Sequence, residues 1–156
     1  MEKGKAFVLV GHSDWGKSRT LQRLISPKKY GWWEYKPGVG IFVKTMSNDD
    51  IVDSLVNFAK NTTPTIKKII IIALCPDFEN PEKKTEVILD ILKEKYELSF
   101  FVLAGKYDQT AQVLPGEIES LKKYGTVRSL NKPMEDTERA KEFRALIDSV
   151  LVIPGK

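Results

Sequence analysis

Gly11-His12-Ser13-Asp14-Trp15-Gly16-Lys17-Ser18 follows the apolar run Ala6-Phe7-Val8-Leu9-Val10 and precedes Arg19-Thr20-Leu21-Gln22-Arg23-Leu24-Ile25, whose apolar residues recur at helical spacing. Strand, glycine-bounded turn and helix in that order build a cradle for phosphate. Glycine lets the main chain turn tightly and approach a ligand closely. Successive N–H groups then converge, and the helix adds its positive end. Lys17 is the point charge expected on the outer phosphates. The Ser18 hydroxyl is placed for a magnesium ion that also touches phosphate oxygens.

The pattern G-x-x-x-x-G-K-[ST] is complete in Gly11, Gly16, Lys17 and Ser18, and it resembles the Walker A motif of the P-loop NTPases. The resemblance implies a P-loop NTPase fold that binds Mg2+ with ATP or GTP, ATP before GTP. Asp14 and Trp15 inside the loop, and Arg19 just after it, are counted with the nucleotide site. Lys17 and Asp77 are the expected catalytic residues, and Ser18 and Asp77 the expected metal ligands. In the family the second acid commonly ends the strand beside the P-loop strand. Here Ala73 and Cys75 stand at those positions, and Asp77 follows beyond Pro76. A capping role for Asp77 or Asn80 at the next helix is the competing reading.

Outward from the motif, short strand-like runs alternate with longer helical ones. Strands are expected at about Lys5–Val10, Val39–Thr45, Lys68–Leu74, Ser99–Ala104 and Thr126–Leu130. Helices are expected at about Lys17–Ile25, Ser47–Lys60, Pro81–Tyr96, Pro115–Tyr124 and Glu135–Val150. Ser47 and Asp50 stand at capping-box spacing, and Val87, Ile88, Ile91 and Leu92 are read as the buried stripe of the third helix. Such alternation predicts an α/β three-layer sandwich around a five-stranded, mainly parallel sheet. One domain is expected over residues 1–156, with ligands at the carboxyl ends of the strands.

Other candidates lie at those ends. Gly105-Lys106-Tyr107-Asp108 resembles the N-K-x-D guanine-recognition motif of GTPases, with glycine where asparagine belongs. The resemblance gives Lys106 and Asp108 to the base. Asn131 and Lys132 follow the fifth strand, where the family's chain runs past the base. Asp49 and Asp50 are candidates for an acceptor or for metal, against a role in starting the helix. Arg23 and Arg128 are further candidates for phosphate, with a solvated helix face preferred for Arg23. His12, the chain's one histidine, lies inside the loop, and a catalytic role for it is not favoured. Tyr30-Gly31-Trp32-Trp33-Glu34-Tyr35 sits among Lys28, Lys29 and Lys36. It is read as a loop with one tryptophan in the core and the other left open for a protein partner.

The 156 residues carry a net charge of +4, mild for a nucleic-acid binder, so that partner is not favoured. No run is long enough to span a membrane. One cysteine excludes an internal disulfide and a cysteine-based zinc site. Only Met1 to Lys5 come before the apolar run Ala6–Val10, and the cytoplasm is the expected compartment. Two functions stay open. One is an enzyme, an NTPase or small P-loop kinase that hydrolyses the triphosphate or transfers its phosphoryl group. The other is a nucleotide-binding regulatory module with little turnover that signals to a protein or nucleic-acid partner. The absence of an arginine-rich lid, the displaced second acid and the small size favour the module more than the motif alone suggests.

Overall fold

The computed structural model describes residues 3–12, 17–24, 31–44, 47–48, 51–103, 115–130 and 135–151. Its strands are β1 (Gly4–Val10), β2 (Gly31–Lys36), β3 (Val39–Lys44), β4 (Ile69–Leu74), β5 (Tyr96–Val102) and β6 (Gly125–Ser129). Its helices are α1 (Lys17–Leu24), α2 (Val52–Asn61), α3 (Thr85–Lys93), α4 (Pro115–Lys122) and α5 (Asp136–Val150). The sheet order is β2-β3-β4-β1-β5-β6, and only the β2–β3 pair is antiparallel.

β1, β4 and β5 read as continuous apolar runs because helices cover both faces of the sheet. Ala6 to Val10 and Ile70 to Leu74 are all buried. Ring contacts assign the helices to faces. Phe58 of α2 stacks on Phe42, which pairs with Ile70 and through it with Ala6. Phe143 of α5 stacks on Phe101, which pairs with Leu9. Ala6 and Leu9 are an odd number of residues apart, so they point to opposite faces. α3 packs with α2, and α1 packs with α5, which completes a helical layer on each side. Two strands begin where the main chain comes very close. A Cβ on Gly4 would stand 2.4 Å from the Lys68 carbonyl oxygen, and one on Gly125 would stand 2.1 Å from that of Leu98.

The five-strand expectation is corrected to six. The segment read as an aromatic loop holds β2, an edge strand joined to β3 through Pro37 and Gly38, with Gly38 at φ +81°. Its register explains the two tryptophans. Trp33 pairs with Ile41 on the α5 face, where Arg144 lies over the rings of both Trp33 and Tyr35. Trp32 pairs with Phe42 on the α2 face and is 54% exposed. Tyr35 is buried and donates its hydroxyl hydrogen to Asp148 of α5. Burial, then the Asp148 carboxylate, raises the Tyr35 phenol above its ordinary value. At Asp148, burial works upward, but the hydrogen bonds from Tyr35 and Arg144 outweigh it and hold the carboxyl below its usual range.

Two helix boundaries also differ from expectation. α2 begins at Val52, with Ile51 at its N-cap and no side-chain cap, so Ser47 does not start it. Asp50, the other half of the expected capping box, lies outside the described residues. After β4, Pro81–Lys83 form a separate 3-10 turn capped by Asn80, whose Oδ1 accepts the Glu82 N–H at 3.0 Å. Lys84, at φ 55°, breaks that turn from α3, and Tyr96 already belongs to β5. This rotates the helix: Ile88, Leu89 and Leu92 are buried, and Val87 is 45% exposed. Among the described residues, no helix is long and apolar enough to cross a membrane.

Candidate functional site

β1 lies between β4 and β5, with Val10 level with Leu74 on one side and Val102 on the other. The ladder continues one residue further. Gly11 N–H donates to the Leu74 carbonyl at 3.1 Å, Leu103 N–H to that of Val10 at 2.9 Å, and Leu130 N–H to that of Val102 at 2.9 Å. The loops leaving β1, β5 and β6 therefore start side by side. From β1 the chain travels to the β3 side of the sheet; from β5 it travels to β6 on the other side. Such a reversal opens a crevice between neighbouring strand ends, the usual place for a ligand in an α/β sheet.

Lys17, the first residue of α1, turns its side chain back onto the end of β1. Its Nζ donates to the carbonyl of Gly11 at 2.6 Å and to that of His12 at 3.0 Å. Only 8% of Lys17 is exposed. Main-chain oxygens, which keep an ammonium hydrated in effect while it leaves water, explain how the charge is tolerated there. His12 is held across the crevice. Its Nε2 lies 2.9 Å from Glu117 Oε1 on α4, and its Nδ1 lies 3.7 Å from Cys75 Sγ at the end of β4.

The exit of β4 is organised by a residue that the sequence reading did not single out. Asn48 is fully buried. Its amide nitrogen lies 3.2 Å from the Cys75 carbonyl, 3.0 Å from that of Lys83 and 3.0 Å from Thr85 Oγ1. Its oxygen accepts the Cys75 N–H at 2.7 Å. Thr85, also buried, donates its hydroxyl to the carbonyls of Cys75 at 3.0 Å and Asp77 at 3.3 Å. Asp77 is thereby carried on a pinned loop, with its own side chain half-buried. The competing capping role belongs to Asn80. Glu117 was likewise missed, although an acid in the first turn of a helix next to a crevice is a readable signal.

The remaining candidates divide as follows. Gly11 is buried at the mouth of β1, and Arg19 is exposed on α1. Ser18 is the second residue of α1, and its side chain lies outside what is described. Asp14, Trp15, Gly16, Asp49, Asp50, Lys106, Asp108, Asn131 and Lys132 also lie outside the described residues, as do Lys28, Lys29 and Tyr30. Arg128 sits on edge strand β6 and pairs with Glu142 of α5 at 3.5 Å. Among the described residues, no three His, Cys, Asp or Glu side chains converge as a metal cage. Magnesium bound with a nucleotide does not require one, since phosphate oxygens and water fill most of its shell.

No family model, curated protein or solved structure matches this chain.

Proposed function

We propose that this chain binds a magnesium nucleoside triphosphate, ATP in preference to GTP, at the carboxyl end of β1, and that it hydrolyses the triphosphate or transfers its phosphoryl group. The observation that carries the reading is the Lys17 ammonium gathered onto the Gly11 and His12 carbonyls, at the start of a helix and at the sheet's reversal point. An ammonium held there meets the outer phosphates of a ligand cradled by the loop amides. In such a site Lys17 neutralises charge on the phosphoryl group in flight, and catalysis is positioning and electrostatics. Ser18 and Asp77 would hold the magnesium, which supplies charge neutralisation between the phosphates. Asp77 suits that role through water, because Asn48 holds the main chain at Cys75 and Thr85 holds the Asp77 carbonyl.

A second reading is a nucleotide-binding module with little turnover. Cys75 ends β4 where the family commonly carries its acid, and Trp32 stands exposed on the edge hairpin as a surface for a protein partner. A thermal-shift titration with Mg-ATP and Mg-GTP tests the shared claim, and turnover with and without a small hydroxyl acceptor separates the two. At about a hundred times its dissociation constant, the preferred triphosphate should stabilise the wild type by about 2.7 kcal/mol. Lys17→Ala should lose that gain. Without ligand it should also unfold about 1–2 kcal/mol more easily, because two hydrogen bonds of a buried ammonium disappear. Equal stabilisation of wild type and variant would remove Lys17 from the site, and no stabilisation of the wild type by either triphosphate would sink the nucleotide reading.

A further inference from the structure

Glu117 reaches the phosphate loop from a different element. It lies in the first turn of α4, yet its Oε1 is 2.9 Å from Nε2 of His12, 105 residues earlier. A carboxylate only accepts hydrogen bonds, so it keeps the imidazole hydrogen on Nε2 and leaves Nδ1 to face the Cys75 thiol. The ring is thereby tied on both sides, to α4 and to the end of β4. The carbonyl of the same histidine accepts from Lys17 Nζ at 3.0 Å. A chain of contacts thus runs from the Glu117 carboxylate through the His12 ring and main chain to the ammonium. The pair is sheltered, with 29% of the His12 side chain and 13% of the Glu117 side chain exposed, so solvent screens it less than a surface ion pair.

We propose that Glu117 is a positioning residue for polyphosphate binding, acting through His12 on Lys17. The proposal rests on the triphosphate reading above and adds to it a residue from the far side of the crevice. A ligand-binding charge is effective only if its supporting contacts hold it in place before the ligand arrives. Here the support has two layers, the carbonyls of Gly11 and His12 and then the Glu117 carboxylate behind the imidazole.

The test uses the full chain and calorimetric binding of Mg-ATP and Mg-GTP to wild type, Glu117→Ala, Glu117→Gln and Lys17→Ala. Nitrogen NMR of the imidazole runs alongside it, and one histidine in the chain makes the signal unambiguous. Glu117→Ala should weaken triphosphate binding about tenfold, the usual scale for losing a charge-assisted hydrogen bond. Its imidazole should show a mixture of the two neutral tautomers, where the wild type shows hydrogen on Nε2. Glu117→Gln should restore binding to within about threefold and restore the tautomer, because its amide oxygen accepts the same bond. A merely structural role would lower the unfolding midpoint and leave affinity and tautomer unchanged; that result overturns the proposal. If Glu117→Ala binds like wild type while Lys17→Ala does not bind, the positioning role falls and the triphosphate reading stands. If Lys17→Ala binds like wild type, the positioning role falls with that of Lys17; if the wild type binds neither triphosphate, both readings fall.

Discussion

The exits of β4 and β1 lie side by side, and they are held by different chemistry. At β4, a neutral side chain does the work. Asn48 is fully buried and bonds to main-chain groups of Cys75 and Lys83 and to the Thr85 hydroxyl. At β1, an ammonium takes part: Lys17 donates to two carbonyls, and His12 lies between Glu117 and Cys75. A neutral buried knot has one low-energy arrangement and is costly to break. An ammonium that leans on carbonyl oxygens can exchange them for the oxygens of a phosphate, because both accept its hydrogens. The difference separates what fixes the fold here from what is available for binding.

Asn48→Ala should show the largest effect of this contrast. It removes the acceptor of the Cys75 N–H and the amide donor to the Cys75 and Lys83 carbonyls in a dry site, at a cost of about 3 kcal/mol in denaturant unfolding. A loss as small as that of a surface substitution would erase the distinction between the two exits. Tyr96 extends the comparison to the amino ends of the strands. It is buried, its hydroxyl donates to the Lys67 carbonyl at 2.6 Å, and burial pushes its phenol up to about 12. The folded state therefore keeps a proton that the unfolded chain releases near pH 10. That stability is complete below pH 10 and drains away as the pH climbs toward 12. Tyr96→Phe should cost about 1 kcal/mol at neutral pH and flatten the alkaline limb. Tyr124, also pushed up to about 12 by burial and then by Asp90, should keep part of that slope. An alkaline limb unchanged by the substitution would show that Tyr96 ionises as freely folded as unfolded. The smallest effect belongs to Trp32→Ala. More than half of the residue is in solvent, so stability should change by no more than about 0.5 kcal/mol. A larger loss would make the edge hairpin part of the fixed framework.

The parallel core was legible because β1, β4 and β5 are covered on both faces, and such strands announce themselves as unbroken apolar runs. β2 was missed because an edge strand carries the weaker signal. Trp33 and Tyr35 turn inward, while Glu34 and Lys36 are exposed, and a two-residue Pro37-Gly38 turn follows. Alternation and turn together would have found it. The start of α2 was misplaced because Ser47-Asn48-Asp49-Asp50 has the composition of a helix cap. Asn48 instead spends its amide on a strand exit that is distant in sequence, which no local pattern encodes. Of the site, Gly11 and Lys17 were readable from a local motif. Glu117 was not, since its partner lies 105 residues away and only the sheet order brings them together.

The tie between Tyr35 and Asp148 has a consequence for how the chain matures. The hairpin that carries Tyr35 closes locally, but its anchor is made 113 residues later. On a ribosome that interval is on the order of ten seconds. During it the Tyr35 hydroxyl and the inner face of Trp33 wait in water, with no α5 to cover them. This edge strand is thus made well before the helix that fastens it down.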